Sequence, residues 1–116
     1  MVSPTQDAAV RFEGYGDAPE IWGSTQANFL VSAPGHHAIE TAVLLNDPAA
    51  AYLAGELGVE DSPAFRKGVA RTVGQLWLER LVAGQMHVPP VVSLSRASIE
   101  AQPSILEALR GAITGA

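Results

Sequence analysis

SPAFRKGVARTVGQLWLERLVAG, residues 62–84, is the stretch on which the architecture turns, because it reads as a long helix with both ends marked. Ser62 is a favourable N-cap, and Pro63 falls at the first helical position, where a missing N–H costs nothing. Gly84 stands where a left-handed C-cap belongs. At about 100° per residue, Phe65, Val69, Val73, Leu76, Trp77 and Leu81 gather in one broad apolar arc. Leu78 and Val82 project away from that arc, into a sector shared with Lys67 and Arg71. A helix apolar on two sides touches two things. The expectation is that the second is another copy of the chain, with Trp77, Leu78 and Val82 at the interface. Gly68 and Gly74 each cost about 1 kcal/mol relative to Ala inside a helix, which points to close packing by a neighbouring element or subunit.

Upstream, Asp47-Pro48 opens a shorter helix, with Asp47 as N-cap, Pro48 as the first helical residue and Gly58 as its stop. Three extended segments precede it. Ala8 to Tyr15 carries Val10, Phe12 and Tyr15 with Arg11 and Glu13 between, and Gly14, Gly16, Asp17 and Pro19 then mark a turn. Glu20 to Ala33 holds Ile21, Trp22, Phe29, Leu30 and Val31, with Gly23-Ser24 as a bulge or break. His36 to Leu45 reads either way. As a strand it aligns Ile39, Thr41, Val43 and Leu45; as a helix it aligns Ala38, Ile39, Ala42, Val43 and Leu45. The helix start at Asp47 and the Pro34-Gly35 turn favour the strand.

Downstream, His87 to Leu94 contains Pro89-Pro90, which restricts it to an edge segment or short strand. Ser95 to Ala101 forms a turn or short helix. Gln102-Pro103 opens a last helix with Ile105, Leu106, Leu109 and Ile113 inward. Strands first and helices after predict one α+β domain over residues 1–116, with residues 1–7 as a flexible arm. Its small antiparallel sheet, mainly of N-terminal strands, is packed on one face by two to four helices, the long central one spanning 63–83.

A chain of 116 residues supports one core, and its charged fraction of 16% is low. Part of the surface is therefore expected to be covered. The formal net charge is −5, and the seven basic residues are dispersed rather than clustered, which argues against a nucleic-acid partner. Arg66 and Arg80 fall within the apolar arc, where their stems run along apolar surface. Zero cysteines exclude disulfides, thiolate metal sites and a cysteine nucleophile. No apolar run reaches membrane-spanning length, and the first residues lack a signal-peptide pattern. The expected setting is the cytoplasm of a bacterium or phage host, with six Arg beside one Lys suggesting a GC-rich genome.

The chemistry-bearing residues are few. His36, His37 and Glu40 are the candidate catalytic set, because imidazoles beside a carboxylate can act as acid or base near neutral pH. On a helix His36 and Glu40 would share a face; on a strand His36 and His37 would point apart. Trp22 and His87 are the candidate ligand-binding residues. The histidine spacing fits no metal motif, and Gly14-Tyr15-Gly16 lacks the features of a phosphate loop; neither metal nor cofactor is expected. These features predict a homo-oligomeric binding or structural protein without catalytic activity, partnered with itself. The alternative is a small cofactor-free enzyme or ligand-binding protein that uses His36 or His37 in a pocket between sheet and helices.

Overall fold

A computed structural model describes residues 9–16, 23–32, 37–84 and 86–114. Strands β1 (Ala9–Tyr15), β2 (Ser24–Ser32) and β3 (Ile39–Asn46) form an antiparallel meander. Helices α1 (Asp47–Leu57) and α2 (Pro63–Ala83) then lead to β4 (Val91–Leu94), followed by α3 (Arg96–Glu100) and α4 (Pro103–Thr114). The sheet order is β1-β2-β3-β4, and β4 lies parallel to β3. The fold is α+β as expected, but the sheet is mixed rather than wholly antiparallel. Two consecutive helices return the chain to the end of the sheet where β3 began, and such a crossover makes the next pairing parallel.

Alternation along the strands separates two faces. Ala27, Phe29 and Val31 of β2, Thr41, Val43 and Leu45 of β3, and Val92 and Leu94 of β4 are buried on the inner face, against the helices. The stretch 39–46 is thus a strand, as its pattern favoured. Its one buried hydroxyl, on Thr41, donates to the Pro89 carbonyl, and the Ala42 N–H donates to that of Pro90. These bonds fasten the Pro-Pro segment to β3. On β1, Phe12 sits opposite Phe29, and the register slips before Gly14, which takes φ 134°. The extra residue of this bulge brings Tyr15 back to the inner face. Its ring meets Phe12 edge-on at 5.0 Å.

Helix ends follow the sequence with two differences. Ser62 Oγ accepts from the Phe65 N–H, and Gly58 closes α1 at φ 68°, as expected. Asp47, however, is the first residue of α1, and Asn46 is its N-cap. The Asp47 N–H is taken by the Gly23 carbonyl and its carboxylate by Arg66, so the side chain has a tertiary partner in place of a capping role. Gly84 ends α2 without a left-handed turn, at φ −84°. There the chain closes instead through Gly84 N–H to Arg80 and Met86 N–H to Leu81.

The reading of Leu78 as a surface residue is overturned. Val69, Ala70, Val73, Gly74 and Leu78 are all buried on α2, while Trp77, Leu81 and Val82 are partly buried against the same core. The helix covers β1, β2 and β3 and is flanked by α1 and α4, so the domain itself supplies both apolar neighbours. Arg80 reaches α4 with a hydrogen bond to Ser104 Oγ. Gly74 is explained from within as well. A Cβ there would lie 2.7 Å from Phe29 Cε1, whereas one at Gly68 would meet nothing within 4 Å. The close neighbour is an aromatic ring of the chain's own sheet. The expected arm at 1–7, the Pro34-Gly35 turn, and residues Ile21, Trp22 and His36 lie outside the described residues.

Candidate functional site

Arg66 ties together three pieces of chain at one end of the sheet. It sits in the first turns of α2, directly after the linker that carries Asp61, and faces the start of α1, which carries Asp47. Its Nε and Nη2 each donate at 2.9 Å to the two carboxylate oxygens of Asp61, and Nη1 reaches Asp47 Oδ1 at 2.9 Å. The planar guanidinium fork suits this two-sided arrangement. The hydrogen bond from Arg66 holds the Asp61 carboxyl below the usual carboxylate range; partial burial opposes this, and the charge of Arg66 adds to it. Arg66 in turn is held more firmly protonated, first by its hydrogen bond with Asp61.

Beside this cluster lies a cleft of about 620 Å³, whose walls include Tyr15, Thr25, Gln26, Asp47, Arg66 and Lys67. The Lys67 ammonium stands 5.6 Å from the centre of the Tyr15 ring, a cation–π distance. Two carboxylates and two cations leave the cleft near neutral. Arg66 engages both carboxylates, so the cluster braces α1 against α2.

The histidines are elsewhere. β3 and β4 run parallel, so His37, ahead of β3, and His87, ahead of β4, sit at the same end of the sheet. The cleft lies at the other end, where β3 runs into Asp47. Eight residues of strand separate the two ends, on the order of 25 Å. His37, Glu40 and His87 are exposed, while His36 and Trp22 lie outside the described residues. Among the described residues, no group of three or more His, Cys, Asp or Glu side chains comes together as a metal site. The Arg66 cluster escaped sequence reasoning. Asp61 and Arg66 bracket one helix start, but nothing in the sequence places Asp47 beside them.

A second surface is the face of the sheet turned away from the helices, open among the described residues. Cross-strand rows run Arg11–Leu30–Glu40, then Asn28–Ala42–Val91, then Gln26–Leu44–Ser93. Charge is confined to one end, where Arg11 pairs with Glu13 at 3.1 Å, while Gln26 donates to Asn28 Oδ1 at 2.7 Å. A hollow of about 320 Å³ opens at the middle row, with Glu13, Asn28, Glu40, Ala42 and Pro90 among its walls. Val91, at the end of that row, is 53% exposed. Among the described residues, no helix is long and apolar enough to cross a membrane. In comparisons with known proteins, no family model, no curated protein and no solved structure matches the chain.

Proposed function

We propose that this protein works by contact, as a self-associating binding or structural component without catalytic activity. The observation that supports this reading is the character of the open sheet face. A sheet face that meets only water normally alternates to polar and charged side chains. Here Ala42, Leu44 and Val91 stand among hydroxyls and amides, and the two central rows carry no charged side chain on β2, β3 or β4. Gln26 and Asn28 bond to each other, which lowers the cost of taking them out of water. Native mass spectrometry of the untagged protein, purified without added metal or chelator, tests the proposal. A concentration-dependent oligomer without adduct is expected; a monomer at every concentration overturns it.

A second reading is small-molecule binding in the cleft beside Arg66, favoured by a volume within the range of ligand pockets. It predicts a retained adduct in the same spectra, lost on Lys67→Glu.

A further inference from the structure

We propose that the cleft beside Arg66 is a site for a small zwitterion of the ω-amino acid type, with its ammonium taken by Asp47 and its carboxylate by Lys67. This rests on the small-molecule reading of the cleft above and adds the class of ligand.

Charge in the cleft is balanced overall and divided in space. Asp61 gives both carboxylate oxygens to Arg66, whereas Asp47 gives only Oδ1. One guanidinium thus faces two carboxylates, and this side of the cleft keeps one excess negative charge. Among the described residues, nothing donates to Asp47 Oδ2. The opposite charge stands on Lys67. Among the described residues it has no carboxylate partner, and its ammonium is held 5.6 Å from the centre of the Tyr15 ring. Asp47 and Lys67 both line the same cleft.

A ligand with one sign of charge is poorly served there. An anion drawn to Lys67 also meets the excess negative charge beside Arg66 and a chain of net charge −5. A cation drawn to Asp47 meets Lys67. A molecule carrying both charges satisfies both ends, and each end rejects the wrong one.

Spacing selects among zwitterions. Tyr15 ends β1, and Asp47 directly follows β3. β2 lies between those strands, so their backbones are about 10 Å apart. An α-amino acid holds both charges on a single carbon, whereas an ω-amino acid sets them several bonds apart. The described wall between the two ends carries the Tyr15 ring and the hydroxyls of Ser24 and Thr25, with no further charge. Such a wall suits an uncharged linker, and a cleft of about 620 Å³ has room for one. Lys67 is exposed and the Asp47 side chain is 42% exposed. Exposed pairs contribute little each, so an affinity on the order of millimolar is expected.

Titration of δ-aminovalerate into the untagged, isotope-labelled protein tests the assignment, with valerate, n-pentylamine and glycine as controls and backbone amide shifts as the readout. δ-Aminovalerate is expected to move the Thr25, Asp47 and Lys67 amides, to leave Ile39 and Glu107 unmoved, and to bind at least about threefold tighter than each control. Lys67→Met, which keeps a stem over the ring, is expected to erase its advantage over n-pentylamine, and Asp47→Asn its advantage over valerate. The comparison on the parent chain needs no variant, so it holds even where Asp47→Asn fails to fold. If any control binds in the cleft as tightly as δ-aminovalerate, the ligand class is wrong and the cleft stands as a small-molecule site. If none of the four moves the cleft amides, the ligand class is wrong as well, and native mass spectra without an adduct then remove the cleft reading too.

Discussion

Exchanging Gly74 and Gly68 for Ala, one at a time, makes the same chemical change twice in one helix with opposite expected signs. In a helix interior Gly→Ala is worth about 1 kcal/mol in favour of folding, largely because Ala has less backbone freedom to lose. At Gly68 a Cβ meets nothing within 4 Å, so the full gain is available and the variant is expected to be more stable by about 0.5–1 kcal/mol. At Gly74 the new Cβ would stand 2.7 Å from Phe29 Cε1, 3.0 Å from its Cζ and 3.4 Å from Val43 Cβ. The ring has little freedom to withdraw. Phe29 is buried and packs edge-on against Phe12 at 5.6 Å, and Phe12 is in turn covered by the Arg71 guanidinium at 4.3 Å. Overpacking of this kind costs about 1–3 kcal/mol. After the helical gain, Gly74→Ala is expected to lose about 1 kcal/mol, a contrast of about 2 kcal/mol between the two sites. Urea unfolding followed by tryptophan fluorescence measures both, and thermal midpoints should differ by roughly 8 °C for a domain of this size. A Gly74→Ala protein as stable as the parent would refute the seating of Phe29 against α2.

Leu78→Ala is expected to cost about 2–5 kcal/mol, because the side chain is fully buried and its removal leaves a cavity; an unchanged urea midpoint would return Leu78 to the surface. Asp61 supplies a pH test. Its folded carboxyl is held below the ordinary value near 3.9 by Arg66, so the pair stabilises the fold fully above that value. The contribution is lost as pH falls through the lowered folded pKa. Asp61→Asn should cost about 1 kcal/mol or less at pH 7 and give a flatter fall in stability below about pH 4. Parallel acid curves for the two proteins would show that the pair contributes nothing.

What the sequence determined by itself is local. Ser62-Pro63 and Gly58 act through backbone geometry and caps formed within a few residues, so the long helix and the end of the first one were legible directly. Period-2 alternation over Ile39, Thr41, Val43 and Leu45 likewise described a strand with one face to bury, since that pattern needs only a pleated backbone. Other features depended on what came to lie alongside. Leu78 and Gly74 belong to the core because α2 rests on the sheet and is flanked by α1 and α4, and a helical wheel carries no information about the width of its surroundings. Asp47 looked like a cap and became an ion-pair partner because Arg66, 19 positions later, arrives beside it. The parallel placement of β4 put His37 and His87 at the end of the sheet remote from the cleft. It also set Val91 in a row with Ala42 and Asn28. Those juxtapositions arise from packing between segments far apart in the chain, and only the tertiary structure decides them.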